Sequence, residues 1–144
     1  MTDDPLSLDN QLCFAIYSAS HAFTKAYRPL LTEIGLTYPQ YLVMLVLWEK
    51  RAASVTEIGA ALGLDTGTLS PLLKRLEKTG YIRRERSRED ERQVMIALTT
   101  SGVILKTRAQ DVLKTIGQAI GCDIEQIHSL MEGLRRVRRN LEEA

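Results

Sequence analysis

The chain has 144 residues, 44% of them hydrophobic and only 6% aromatic, a length that suits one compact domain and is short for two ordinary ones. With 19 Lys and Arg against 18 Asp and Glu, the net charge of +1 says nothing about nucleic acid, so any basic footprint must be local. Two cysteines, Cys13 and Cys122, lie too far apart for a zinc knuckle and are too few for a secreted disulfide scaffold.

The N-terminus, Met1-Thr2-Asp3-Asp4-Pro5, is acidic and is followed by no apolar core of leader or membrane-span type, so the expectation is a cytoplasmic, unprocessed chain with no membrane partner. Leu12, Ile16, Phe23, Leu30 and Ile34 then recur at helical spacing and predict a long first helix. Asp9 is its expected N-cap, Pro29 is expected to kink or end it, and Gly35 to close it. A second helix, from near Pro39 to about Arg51, is apolar nearly all round and should be central. Ser54-Val55-Thr56-Glu57 has the form of a capping box and opens a short helix to Leu62. Gly63 supplies a left-handed turn, and the next helix carries the stripe Leu69, Leu72, Leu73 and Leu76, a helix-turn-helix pattern. Pro71 argues that this helix starts only a few residues upstream of it, and Gly80 ends it.

Beyond Gly80 the period changes to two. Ile82 begins one strand, Val94, Ile96 and Leu98 mark another, and Ser87-Arg88-Glu89-Asp90-Glu91 loops between them as a wing. A long helix from about Thr100 to Ile120 carries Leu105, Val112, Leu113, Ile116 and Ile120 on one side. After Gly121, Asp123 should cap a last helix striped by Ile124, Ile127, Leu130, Met131, Leu134, Val137 and Leu141. The predicted fold is mainly α with a small β-hairpin wing: a single winged helix-turn-helix domain with dimerisation helices at about 8–34 and 100–144 and a DNA-binding lobe at about 37–99. The terminal helices expose more apolar face than the lobe can cover, which predicts a two-fold homodimer rather than a monomer with its ends packed together.

On a helical wheel the face opposite the leucine stripe is small at its start and basic at its end. Thr66, Thr68 and Ser70 suit close approach to base edges in duplex DNA, and Lys74 and Arg75 suit phosphates. The wing sets five arginines against four acids, so it is nearly neutral, and one projecting arginine held by Asp90 is expected to enter the minor groove. Arg92 and Arg88 are the candidates. Cys13, a lone thiol beside such a module, suggests a redox switch, because thiolates attack peroxides and thiols do not. A sensor needs surroundings that lower the cysteine pKa from about 8.5. The competing reading is a small buried hydrophobe.

The run Leu62-Gly63-Leu64-Asp65-Thr66-Gly67-Thr68-Leu69-Ser70-Pro71-Leu72-Leu73-Lys74-Arg75-Leu76-Glu77, followed by Arg88-Glu89-Asp90-Glu91-Arg92-Gln93-Val94, closely resembles the MarR family of winged-helix regulators. Asn10-Gln11-Leu12-Cys13 and Gly35-Leu36-Thr37-Tyr38-Pro39-Gln40-Tyr41 resemble its organic hydroperoxide-sensing OhrR branch, and the likeness spans most of residues 8 to 100. The resemblance implies that Cys13 is the peroxide sensor, that Tyr17, Tyr27 and Tyr38 hydrogen-bond its sulfur, and that Cys122 resolves the oxidised thiol as an intersubunit disulfide. An incidental loop thiol is the plainer reading of Cys122. In one straight helix Cys13 and Tyr27 stand about 21 Å apart, so Tyr27 acts on Cys13 of the other subunit if it acts at all.

The resulting expectation is a repressor, not an enzyme, that binds operator DNA as a homodimer and releases it when an organic hydroperoxide oxidises Cys13. The alternative within the family is release by a small phenolic or aromatic ligand, and a third class is a cysteine peroxidase using Cys13 and Cys122. No cofactor or metal is expected: His21 and His128 stand alone, and no phosphate loop or dinucleotide fingerprint is present. Arg135, Arg136, Arg138 and Arg139 read as a solvated helix face.

Overall fold

The computed structural model describes residues 3–90 and 92–144, in two compact units, one through Val112 and one from Leu113 to Ala144. Met1 and Thr2 of the acidic N-terminus and Glu91 of the wing loop lie outside the described residues.

The first unit opens with a 3-10 turn over Leu8–Asn10, followed by α1 (Leu12–Thr32). Asp9 falls inside that turn and does not cap α1; the N-cap is Gln11. The Gln11 side chain makes no cap bond, because its amide reaches back to the carbonyls of Pro5 and Ser7 at 2.8 and 2.9 Å. Pro29 is accommodated three residues before the end of α1, where its missing amide costs one helical bond. Gly35, at φ +75°, turns the chain, and Leu31, Ile34 and Leu36 close under it in the core.

α2 (Tyr38–Lys50) is capped by Thr37, whose hydroxyl accepts from the Gln40 amide while Gln40 Oε1 accepts from the Thr37 amide at 2.9 Å. Tyr41, Val43, Met44, Val46 and Leu47 are all buried, so α2 is the central helix that its all-round apolar character predicts. Strand β1 (Ala52–Ser54), which sequence periodicity does not reveal, leads into α3 (Val55–Leu62) through the Ser54–Glu57 capping box. Gly63, at φ +68°, turns the chain into α4 (Thr66–Lys78), capped by Asp65. Ile58, Leu69, Leu73 and Leu76 are fully or almost fully buried and lock the two helices together.

The wing strands are β2 (Ile82–Arg86) and β3 (Val94–Leu98), antiparallel in the register Ile82↔Leu98 to Arg86↔Val94. β1 pairs with the other edge of β3, Ala53 opposite Ile96, so the sheet has the order β1-β3-β2. Ala53, Ile82 and Ile96 are buried, which anchors the base of the wing in the core. The Tyr81 hydroxyl donates to the Ile34 carbonyl at 3.0 Å, tying the wing entry to the end of α1.

α5 (Thr100–Ile120) starts in this unit, where Gly102 is a close-approach position: a Cβ there would lie 2.1 Å from the Tyr81 carbonyl oxygen. Leu105, Val112 and Ile116 of the expected stripe are buried, but Leu113 and Ile120 are exposed, because neither shares the azimuth of the other three. In the second unit α6 (Ile124–Glu142) is capped by Asp123 in a box with Gln126. None of its residues is buried, and Ile124, Leu130, Met131, Leu134 and Leu141 form an uncovered apolar stripe.

Candidate functional site

The α4 end that faces outward is built by its cap. Asp65 Oδ1 accepts from the Thr68 amide at 2.7 Å, and this bond holds the Asp65 carboxyl below its usual range. Thr66, Thr68, Ser70, Lys74 and Arg75 are all exposed, as the wheel requires. Pro71 is the sixth residue of α4, so the helix starts a few residues upstream of it as expected, and the Gly67 carbonyl loses its helical partner near the small end of this face.

Between α4 and the wing lies a cleft of about 240 Å³ lined by Thr66 and Ser70 of α4, Arg84, Arg92 and Gln93 of the wing region, and Ser54 and Thr56 at the start of α3. It brings together Thr66, Ser70 and Arg92 of the sequence-derived set, whereas Thr68, Lys74, Arg75, Arg88 and Asp90 stand outside it. The wing arginines are not equivalent. Arg83 pairs with Glu85, and Arg84 with Glu77 of α4 at 3.5 Å, while Arg88 and Arg92 make no ion pair among the described residues. Asp90 acts on Arg92 through the backbone: its Oδ1 accepts from the Arg92 amide at 3.0 Å, which shapes the tip and leaves the guanidinium outside the contact. Thr56, Arg84 and Gln93 were not legible as site residues, because only the pairing of the wing with α3 and α4 brings them to the cleft.

Cys13 is the second residue of α1 and exposed, at the positive end of the helix dipole, where the expected Asp9 cap would have put it in the second turn. Tyr17, one turn on, is exposed and lies against His21 with ring centroids 4.4 Å apart. Tyr27 is buried farther along the same helix, about 21 Å from Cys13 by helical rise, so one chain does not bring the two together. Tyr38 joins Tyr27 at a centroid distance of 5.3 Å, and Tyr41, outside the expected set, sits equally close to Tyr27. Burial, then the neighbouring Tyr41 and Tyr38, pushes the Tyr27 phenol well above its ordinary range, so it remains a protonated donor. Cys122 is exposed between Gly121, at φ +70°, and the α6 cap Asp123. Among the described residues no cluster of three His, Cys, Asp or Glu stands placed to hold a metal, and no helix is long and apolar enough to cross a membrane.

Residues 25–108 match the family model described as Transcriptional regulator SarA/Rot. The chain is 54% identical over 139 residues to the HTH-type transcriptional regulator TtmR of Methylorubrum extorquens, covering 96% of this chain and 71% of that protein. It is 47% identical to the organic hydroperoxide resistance transcriptional regulator of Bacillus subtilis, covering 89% of each. Among solved structures it is similar to AbfR of Staphylococcus epidermidis in its reduced, DNA-bound form, at 37% identity and a TM-score of 0.78 over 93% of this chain and 94% of that one. A disulfide-formed AbfR is similar at 38% identity and a TM-score of 0.67, over 90% and 91% of the two chains.

Proposed function

Because the chain belongs to the SarA/Rot family of MarR-like winged-helix transcriptional regulators, we propose that it is a dimeric repressor that holds operator DNA while Cys13 is reduced and lets go when an organic hydroperoxide oxidises it. The observation that carries this reading is the exposed thiol in the first turn of α1, in a chain so similar to a regulator named for organic hydroperoxide resistance. The lobe at about 37–99 carries the DNA contacts. Thr66, Thr68 and Ser70 approach base edges, Lys74 and Arg75 meet phosphates, and Arg92, with Arg88 beside it, enters the minor groove from a tip shaped by Asp90. The helices at about 8–34 and 100–144 dimerise, and their uncovered apolar residues support that role.

In the dimer Tyr27 and Tyr38 of one copy face Cys13 of the other, and Tyr17 flanks Cys13 on its own helix. The thiolate attacks the peroxide oxygen; an S–O bond forms as the O–O bond breaks, and the alkoxide leaves and takes up a proton to become the alcohol. Sulfur is oxidised by two electrons and the peroxide is reduced. Cys122 then displaces water from the sulfenic acid and forms a disulfide between subunits. A cytoplasmic setting keeps both thiols reduced at rest.

The alternative, release by a phenolic or aromatic ligand, has one observation in its favour: an open cleft of about 410 Å³ lined by Thr24, Arg28, Thr32, Leu36, Thr37, Tyr38 and Pro39. Cys13→Ser separates the two readings. The thiol reading expects this variant to bind operator normally and to ignore cumene hydroperoxide; release of the variant by peroxide would remove Cys13 as the trigger.

A further inference from the structure

Tyr27 and Tyr38 belong to a larger aromatic cluster in which Tyr38 and Trp48 are half-buried. Tyr27 and Tyr41 are 8% and 4% exposed, and Tyr41 also meets Trp48 edge-on at a centroid distance of 6.4 Å. The Trp48 indole donates to the Gly102 carbonyl at 2.9 Å, so the far side of Tyr41 packs on a fixed ring. The Tyr27 ring meets those of Tyr41 and Tyr38, each at a centroid distance of 5.3 Å, so the two phenols are its aromatic neighbours on α2.

A phenol has one proton to donate and two lone pairs to accept with. A Tyr27 that donates to Tyr41 has no proton left for a sulfur. When Tyr27 turns its proton toward a thiolate, its oxygen still has lone pairs to accept with, and Tyr41, whose ring is 5.3 Å away, is the neighbouring phenol that can donate to it.

We infer that Tyr41 is a positioning residue of the peroxide sensor: it donates to Tyr27 while Tyr27 donates to the Cys13 thiolate of the second copy. This rests on the thiol-sensor reading above. Hydrogen bonds in such a chain polarise one another, so the second phenol makes the first a better donor to sulfur. Tyr41 touches neither sulfur nor peroxide in this arrangement and acts only through Tyr27.

The test is the rate of Cys13 sulfenic acid formation with cumene hydroperoxide in the full-length dimer, read by trapping and intact mass. Tyr41→Phe keeps the ring and removes the hydroxyl. It is expected to slow oxidation on the order of fivefold and to move the pH profile of the rate upward. Operator affinity of the reduced protein should stay unchanged, which also reports that the variant is folded. Tyr27→Phe should slow the reaction more, and Tyr27→Phe with Tyr41→Phe should be no slower than Tyr27→Phe alone. Additive losses, or a wild-type rate in Tyr41→Phe, overturn the inference. A Cys13 inert to peroxide in the wild type overturns the sensor reading and this one together, whereas a reactive Cys13 indifferent to Tyr41 overturns this one alone.

Discussion

Arg92 and Arg83 look alike in the sequence and differ in what they can do. Arg83 is engaged by Glu85, and Arg84 by Glu77, whereas Arg92 reaches the cleft beside α4 with its amide fixed by Asp90. Arg92→Ala should therefore weaken operator binding by about 1–3 kcal/mol without unfolding the protein, as measured by anisotropy titration at fixed salt; an unchanged affinity would take the wing out of the mechanism. Asp65 gives a pH-dependent expectation. Its carboxyl is held low in the folded state by the Thr68 amide, so its contribution is present above the ordinary carboxylate range and is lost as pH falls through the lowered folded value. The difference in melting temperature between wild type and Asp65→Asn should shrink as the medium becomes acid; a constant difference would show that the charge on Asp65 is immaterial. At this scale Cys13 and its distance from Tyr27 were legible, because rise per residue settles the distance. The cap of α1 was not, because the Gln11 side chain bonds back to Pro5 and Ser7 and a 3-10 turn absorbs Asp9. Tyr41 was hidden for a different reason: in a helix apolar nearly all round, another tyrosine reads as core.

The helices were read well where a local signal dominates. The Ser54–Glu57 box, the Gly63 turn and the Asp123 cap all stand where the sequence puts them. β1 was missed because three residues show no period, and its existence depends on the distant edge of β3. Pro71 stands where its chemistry puts it, a few residues after the start of α4 and on the exposed face. Ser54 is buried and its hydroxyl serves the Glu57 amide at 3.0 Å, so Ser54→Ala should cost about 1–2 kcal/mol. Chemical denaturation would measure this, and a loss below a few tenths would show that the cap bond is not needed. β1 ends in that same residue, so the cap couples the sheet to the helix-turn-helix.

For the whole molecule the question is what covers the apolar residues of α1 and α6. Leu12, Ile16 and Phe23 on one helix and Leu130, Met131 and Leu134 on the other are exposed in the single chain, more than a free surface ordinarily carries. Their place at the two ends of the chain, and an apolar face larger than the lobe can cover, were legible from the periodicity; which residues of the second helix stay exposed was not, since a stripe pattern is the same for a core and for an interface. In the homodimer reading, peroxide-treated wild type should run as a covalent dimer without reductant and Cys122→Ser should not; a covalent dimer in Cys122→Ser would remove the resolving role. The most direct test of the central claim is operator affinity through one redox cycle. Reduced wild-type protein on its own upstream DNA should give a retarded complex in a gel shift, lose it on addition of cumene hydroperoxide, and regain it with a thiol reductant. A complex that survives stoichiometric oxidation of Cys13, confirmed by mass on the same sample, would contradict the account.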